Sequence, residues 1–470
     1  MSNDDINPVQ AYFDVLNQAR EQQAHIDFTH RKRHLRQLSE LISHNKPALL
    51  NAMQQDYGYR SPNQSLISDI LSSLDSLHYW RQHFAAQLKP RKRDAGFPAR
   101  LFGAKARQHF QALGLVAIRG NWQQPLASAI IPATQAIAAG NRVLLLLDAR
   151  CPATAECLSQ LVLQSPLRDI LAISSGRDAN LQSLKQQPWD LVFDRSTETR
   201  PSHFEAREWL SSAASRNHVV LGADAVNDDT ALRVMAGKLF NAGQHPDSPH
   251  VVWVPAEGLE EFAQRCEDQT VLLYPRFIDN GDYSALIDQS IYQTMTRALE
   301  AARREHRDTR LINPGDEAFD GESRPLKVPP TLMVHAAPEW LAEHAHQNAP
   351  LLTLQPYRDD AELVEKLLPH SPLTTLYSFA VADSLLNTLT QQLSAGQVMS
   401  NDLMPVQYSQ DIGVGDGSGR IWLRGREALM QFCRPQGYSS QSRAPLAATA
   451  GLLPPYGETA SRRLDGMTRS

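Results

Sequence analysis

The four cysteines carry the most nucleophilic side chains of this 470-residue chain. Cys151, Cys157, Cys266 and Cys433 are scattered without C-x-x-C spacing, so they form neither a zinc site nor a disulfide framework. Such spacing is typical of reduced, mostly buried thiols in the cytoplasm. Cys433 is a candidate nucleophile, but its neighbour Phe432 favours a buried thiol of low reactivity.

Histidines and glutamates gather near position 340, where they offer candidate metal ligands. His335, His344 and His346 accompany Glu339 and Glu343 in this segment. The H-A-H spacing on a predicted helix directs two of the imidazoles to different faces. This arrangement favours a solvated helix, and we predict no bound metal.

A glycine-rich loop and a basic stretch are the other candidate binding segments. The loop GVGDGSG at 413–419 does not sit between the strand and helix that a phosphate-binding loop requires.

The stretch KPRKRDAGFPARLFGAKAR at 89–107 is basic, but the whole chain has 46 Lys+Arg against 51 Asp+Glu and a formal charge of −5. That charge argues against a nucleic-acid partner. We therefore predict a solvated or subunit-facing arm at 89–107.

The composition is that of a globular protein with sizeable cores. Hydrophobic residues make up 42% of the chain and charged residues 21%, and the length predicts about three structural units. The longest apolar run, Val143 to Leu147, is far shorter than the ~18 residues of a membrane span. The N-terminus MSNDDINPVQ is acidic, unlike a secretory signal. We predict a cytoplasmic protein without membrane association.

The elements that must position these residues are helices followed by parallel sheets. Apolar residues recur at helical spacing through the first ninety residues, where Asn63 or Ser61 is placed to cap the third helix. From Leu115, short apolar runs alternate with helical patterns, which predicts a parallel sheet covered on both faces. A second such series follows a predicted helix at 202–216 and includes a predicted strand at 271–274.

The segment LGLVAIRGNWQQPLASAIIPATQAIAAGNRV and the motifs after it resemble the aldehyde dehydrogenase superfamily. The later motifs, in family order, are FDRST at 193–197, VVLGA at 219–223, FNAGQHP at 240–246 and GVGDGSG at 413–419. The segments DYGYRSPNQSLISDI and LLPPYG are most similar to the coniferyl aldehyde dehydrogenase branch. The resemblance implies an α/β fold with a Rossmann-like parallel-sheet domain, a second α/β domain and a small β-arm.

The resemblance also predicts how the chain is divided. We assign 1–88 and 108–216 to a degenerate dinucleotide-binding domain and 217–400 to a catalytic-like α/β domain. Residues 89–107 and 401–470 form the oligomerisation arm and the C-terminal extension. The arm implies a homodimer or pairing with a related subunit.

Residues of different chemistry occupy the catalytic positions that the resemblance identifies. Family members attack the aldehyde carbonyl with a cysteine thiolate. Pro246 occupies the position of that cysteine, and proline has neither a nucleophilic atom nor a backbone N–H. Gln123 replaces the oxyanion-binding asparagine and is one methylene longer. Val220 replaces the glutamate that serves as general base, and it can neither accept nor donate a proton.

The family positions that bind NAD(P) differ as well. Leu146 replaces the lysine that bonds the adenosine ribose, and His346 replaces the glutamate that holds the nicotinamide ribose. Arg195 replaces a glycine at the pyrophosphate loop, beside Ser196. Trp122 keeps the tryptophan of the first motif.

The fold motifs are intact, whereas the residues at the catalytic and cofactor positions are altered. We therefore predict a pseudoenzyme, a catalytically degenerate relative that has a binding or scaffolding role and binds no cofactor. One alternative is an NAD(P)-dependent aldehyde oxidoreductase with a non-standard site, in which Arg195 and Arg200 clamp the phosphates. A second alternative is a small-molecule sensor. Its ligand would bind in the vacated tunnel, lined by Trp122, Gln123 and Val220.

Overall fold

The computed structural model describes residues 8–96, 99–175, 181–196, 201–212, 215–305, 307–319, 321, 325–336, 340, 349–403, 409–441 and 454–468. The predictions at Arg200 and at positions 339, 343, 344 and 346 lie outside these ranges, including the ribose contact at His346. Among the described helices, none is both long enough and apolar enough to cross a bilayer.

The described residues form fifteen α-helices and seventeen β-strands, joined by short 3-10 turns and one π-helical turn. The helices are α1 (Pro8–Gln22), α2 (Phe28–His44), α3 (Lys46–Tyr57), α4 (Pro62–Ser65), α5 (Ser72–Gln87), α6 (Ala127–Ala139), α7 (Pro152–Leu163), α8 (Leu181–Lys185), α9 (Asp228–Leu239), α10 (Leu259–Leu273), α11 (Gln289–Arg304), α12 (Asp360–Leu367), α13 (Asp383–Gln392), α14 (Gly425–Met430) and α15 (Glu458–Met467). The strands are β1 (Arg91–Arg93), β2 (Lys105–Ala112), β3 (Leu115–Arg119), β4 (Arg142–Leu147), β5 (Leu171–Ser175), β6 (Leu191–Asp194), β7 (Trp209–Ser211), β8 (Asn217–Leu221), β9 (Val251–Pro255), β10 (Thr309–Leu311), β11 (Thr331–Val334), β12 (Leu351–Tyr357), β13 (Leu373–Phe379), β14 (Ala395–Ser400), β15 (Val414–Gly415), β16 (Trp422–Arg424) and β17 (Cys433–Ser440).

A parallel five-stranded sheet forms the first half of the fold, in the order β5-β4-β3-β6-β7. Helix α1 packs on one face, whereas α2, α3, α5 and α6 pack on the other. Strands β3 and β6 are neighbours, although β4 and β5 come between them in the chain. The strand order therefore reverses between β3 and β6, and such a reversal leaves a crevice at the carboxyl ends of the strands.

The N-terminal helices begin where polar side chains cap them. Ser61 caps α4, because its hydroxyl accepts the N–H of Gln64 at 3.5 Å, which confirms one of the two predicted caps. Asp27 caps α2 in the same way through the N–H of His30, at 2.8 Å. These caps satisfy backbone donors that the first helical turn leaves without partners.

The helix predicted at 202–216 is wrong. Strand β7 lies in this segment instead, and Trp209 pairs with Val192 of β6. The ring of Trp209 is buried and contacts Phe204, with 5.4 Å between the ring centroids. Apolar residues at this spacing suit a short edge strand as well as a helix, and the sheet pairing decides between the two.

A seven-stranded sheet forms the second half, in the order β10-β11-β12-β9-β8-β13-β14. Only the β10–β11 pair is antiparallel among its described strands. One face packs on α9 and α10, and the other packs on α12 and α13. The strand predicted at 271–274 is wrong because this apolar run is the last turn of α10, where Leu272 is 74% exposed.

A third, antiparallel sheet has the order β1-β2-β17, and β15 pairs with β16 nearby. Strand β2 pairs with β17 along eight residues, from Cys433 opposite Ala112 to Ser440 opposite Lys105. Most side chains of β17 are exposed. The sheet therefore includes both β1 and the start of β2 from the basic 89–107 stretch. Its role in pairing subunits stays a prediction.

Candidate active site

A cleft lies between helix α5, the loop after β6 and the loop after α9. It encloses about 610 Å³ when the space open to solvent is included. Pro246 forms part of its wall. The charged and amide side chains that line it are Asp75, Gln124, Arg195, Asp247, Gln410 and Arg424.

The loop that carries Pro246 has an unusual backbone. Asn241 and Ala242 both have a φ of 52°, and Gly243 has a φ of 75°. This left-handed region is unfavourable for residues other than glycine, by about 1–2 kcal/mol each. A Cβ on Gly243 would lie 2.2 Å from the carbonyl oxygen of Ala349, so glycine is required there. Backbone strain of this kind is common at ligand sites.

Buried carboxamides hold this strained loop in place. The N–H of Asn241 donates to Oε1 of Gln64 at 2.9 Å. Nε2 of Gln244 donates to the carbonyl oxygens of Asn241 and Ala285, both at 2.9 Å, and its Oε1 accepts the N–H of Ile287 at 3.0 Å. These bonds join segments that are far apart in the sequence, so the loop keeps one conformation.

The described part of the cleft offers no thiolate. Pro246 is buried, and its carbonyl oxygen accepts a 2.7 Å hydrogen bond from Nδ2 of Asn217. No cysteine is among the described residues that line the cleft. Burial raises the pKa of all four thiols, that of Cys433 to about 12. Cys433 is therefore a buried thiol, as its neighbours predict.

His245 and Asp247 flank Pro246, and the motif comparison missed both of them. His245 is buried, and burial lowers the pKa of its imidazole, so the ring is neutral at pH 7. Its Nδ1 accepts the N–H of Asp247 at 3.2 Å, and its Nε2 lies 3.0 Å from Nε2 of Gln124. The side chain of Asp247 lines the cleft. Their position beside Pro246 in the sequence was the signal that could have revealed them.

Gln124, rather than the predicted Gln123, is the glutamine that lines the cleft. Gln123 is 2% exposed, and its Nε2 makes no hydrogen bond to the described residues. Trp122 is buried in the core with Cys151, and the guanidinium of Arg150 lies 4.8 Å from the centre of its ring.

Val220 lies on the far side of the second sheet. Its side chain packs with Trp253 and with residues of α12 and α13, whereas Val219 and Leu221 pack in the core that contains Trp122. Side chains alternate between the faces of a strand. The predicted tunnel lined by Trp122, Gln123 and Val220 is therefore wrong, because the strand directs Val220 away from it.

The crevice between β3 and β6 holds charged and hydroxyl groups. Arg119, at the end of β3, forms a 2.8 Å ion pair with Asp194 at the end of β6. Ser196 follows two residues later, and its buried Oγ makes no hydrogen bond to the described residues. Such a hydroxyl, with a guanidinium at the end of the neighbouring strand, fits a diphosphate group. Leu146 is buried beneath α1 and offers no donor to a ribose.

A carboxylate occupies the start of the first crossover helix, α6. Oδ1 of the buried Asp69 accepts the N–H groups of Leu126 and Ala127 at 3.0 and 3.1 Å. Its Oδ2 accepts hydrogen bonds from Arg60 at 2.8 Å and Ser68 at 2.6 Å. An anion bound at a helix N-terminus would need these N–H groups, so a diphosphate would be held at Arg119 and Ser196 instead.

The sheet order and the crevice at the ends of its strands define a doubly wound α/β protein. Residues 4–181 and 205–436 match the profile of the aldehyde dehydrogenase family. The chain belongs to this family.

Curated relatives and solved structures match 77% or more of the chain. The probable coniferyl aldehyde dehydrogenase of Pseudomonas aeruginosa is 28% identical over 469 residues, 97% of this chain and 96% of that protein. The coniferyl aldehyde dehydrogenase of a Pseudomonas species is 30% identical over 377 residues, 77% of this chain and 76% of that protein. The structure of AldH from Staphylococcus aureus has a TM-score of 0.84 at 20% identity, and the match covers 98% of this chain and 99% of that one. The α/β fold with a Rossmann-like sheet is confirmed.

The prediction of a pseudoenzyme with a scaffolding role is wrong. Three curated relatives, which match 92%, 97% and 77% of this chain, are named as coniferyl or probable coniferyl aldehyde dehydrogenases, which points to an enzyme of this family. The inference from Pro246 went too far, because a missing thiol excludes only the covalent route at that position. The prediction of no cofactor is unsupported for the same reason, because the chain belongs to the aldehyde dehydrogenase family.

Proposed function

We propose that this chain is an NAD(P)-dependent oxidoreductase that oxidises aldehydes without a covalent thiol intermediate. The polar cleft is the observation that supports this proposal most directly. The strained loop that carries Pro246 forms part of its wall. Family membership supports the reaction class. The names of the curated relatives support an aldehyde as substrate.

The cofactor required is a nicotinamide dinucleotide, which supplies the acceptor for the hydride of the aldehyde carbon. Ser196 and Arg119 would hold its diphosphate, because they lie at the carboxyl ends of β3 and β6. Leu146 has no polar group that could bond a ribose. We therefore expect the dinucleotide to bind more weakly than it would to a site with a lysine at this position.

Without a thiolate, water must add to the aldehyde before the hydride leaves, instead of hydrolysing a thioester afterwards. An aldehyde hydrate carries two hydroxyl groups on one carbon, and the carboxylate of Asp247 can accept a proton from one of them. Gln124 lines the cleft nearby, where its Nε2 donates to the carbonyl oxygen of Ser68 at 3.3 Å and lies 3.0 Å from Nε2 of His245. Loss of the proton to Asp247 increases the electron density at the carbon and so favours hydride release.

The variant Asp247→Asn tests this proton transfer. We expect kcat for dinucleotide-dependent aldehyde oxidation to fall by about 10²- to 10⁴-fold, with an unchanged circular dichroism spectrum. Asp383→Asn, at an exposed position on α13, is the matched control. An unchanged kcat in Asp247→Asn would rule out its role. Absence of dinucleotide-dependent oxidation across aromatic and aliphatic aldehydes would refute the proposed function.

We further propose that the chain is a cytoplasmic homodimer that pairs through the β1-β2-β17 sheet. The edges of this sheet, β1 and β17, carry exposed side chains and unpaired backbone groups that suit strand addition. Light scattering should give twice the mass of one chain, and a monomeric mass would exclude the dimer.

A further inference from the structure

Arg195 is a cation of the candidate active site for which the described residues provide no partner. It follows β6, and its side chain lines the cleft beside Pro246. Its backbone N–H donates to the carbonyl oxygen of Arg119 at 2.9 Å. Within the part of the chain that the structure describes, its guanidinium makes no hydrogen bond or ion pair, and its Nε is buried.

The charges around Arg195 make this arrangement unfavourable in the absence of a ligand. Burial lowers the pKa of its guanidinium, Arg424 lowers it further, and Asp247 and Asp416 counteract this effect. Neither carboxylate lies within ion-pair distance of Arg195 among the described contacts. A partly buried guanidinium without a hydrogen-bonded counter-ion is costly. An incoming anion would remove that penalty.

The rest of the cleft shows where the anion would lie. Arg424 lines the same cleft as Arg195, so a second guanidinium is present near the first. Asp75 and Asp247 bring two carboxylates to the wall, and they would repel an anion placed next to them. The favourable position is therefore at the two arginines, with the uncharged part of the ligand extending toward Asp247.

We propose that Arg195, with Arg424 beside it, binds a carboxylate on the substrate, so that the preferred substrate is a small aldehyde acid. This inference rests on the proposed function, because it names the substrate class of the same cleft. A guanidinium binds a carboxylate through two parallel hydrogen bonds, which an ammonium cannot reproduce. Gln410 adds a buried Oε1 without a partner among the described residues, which suits a hydroxyl group on the ligand.

Glutarate is the probe that tests this site, because it carries carboxylates but no aldehyde and its binding requires no turnover. We expect calorimetry on the full chain to show glutarate binding that Arg195→Met weakens about ten- to a hundredfold. Arg195→Lys should restore only part of the affinity, and the neutral glutaramide should not bind. Arg168→Met, at an exposed position before β5, should leave glutarate binding unchanged.

The outcomes separate this inference from the proposed function. Equal glutarate affinity in Arg195→Met and the parent, or no binding by either, would overturn the inference. Loss of NADP binding in Arg195→Met would also overturn it, since Arg195 would then hold the cofactor phosphate. Binding of glutarate at Arg195 without any aldehyde oxidation would support the site and refute the proposed function. Arg195→Gln serves as a second variant. The melting temperatures of Arg195→Met and Arg195→Gln should be no lower than that of the parent, because each substitution removes a cation that no described residue pairs.

Discussion

Lys238 provides a quantitative test of the described packing around α9. Its side chain is completely buried, and its Nζ makes no hydrogen bond to the described residues. Burial lowers its pKa from 10.5 to about 7. In the unfolded chain the amine keeps its ordinary pKa, so between these two values the unfolded state binds more protons. Stability contributed by this group therefore rises as the pH increases from about 7 to 10.5.

The variant Lys238→Met removes this penalty while it keeps a flexible apolar side chain. A tenfold change in proton affinity corresponds to about 1.36 kcal/mol, so the lowered pKa of Lys238 destabilises the fold by about 4 kcal/mol at pH 7. The same relation gives about 2 kcal/mol at pH 9. We expect Lys238→Met to gain about these amounts over the parent at each pH.

Urea denaturation of both proteins at pH 7 and pH 9 measures the difference. Lys32→Met, an exposed position on α2, is the control and should change the free energy of unfolding by less than about 0.5 kcal/mol at either pH. A Lys238→Met variant that is no more stable than the parent, or whose gain is equal at the two pH values, would show that the amine is not buried without a partner.

Two further substitutions test the framework of the site. Asp69→Asn should lower the free energy of unfolding by about 3–5 kcal/mol, because Arg60 would remain buried without its counter-charge; an unchanged urea midpoint would contradict the buried pair. Gly243→Ala should destabilise by at least about 2 kcal/mol, since the new Cβ would meet the backbone at Ala349 in a left-handed conformation. A melting temperature equal to the parent's would show that the loop can relax.

Much of the fold could be predicted from the sequence because it depends on local patterns. The alternation of apolar runs and helical segments from Leu115 onward indicated parallel sheets, and Ser61 could be recognised as a helix cap. The segment at 271–274 was misassigned because a four-residue apolar run has the same composition in a strand and in the last turn of a helix. The segment at 202–216 was misassigned because pairing with β6 depends on residues distant in sequence.

The site was less predictable because it depends on the direction of side chains. The sequence indicated which loop carries Pro246, but a motif comparison could not show that Val220 faces away or that Gln124, rather than Gln123, reaches the cleft. A shift of one residue on a strand or tight turn reverses the side-chain direction. That no described residue pairs with Arg195 depends on three-dimensional distances, so the sequence alone could not reveal it.

In the proposed reaction, hydride leaves an aldehyde carbon in this cleft without formation of a protein thioester. The most direct measurement uses an aldehyde acid deuterated at the aldehyde carbon, with the full chain and NAD or NADP, followed by mass spectrometry of the nucleotide and of the protein. We expect deuterium in the reduced nucleotide and no protein species with the mass of an acyl adduct. Unlabelled nucleotide, or an acylated cysteine that forms and decays at the rate of turnover, would refute hydride transfer without a thioester.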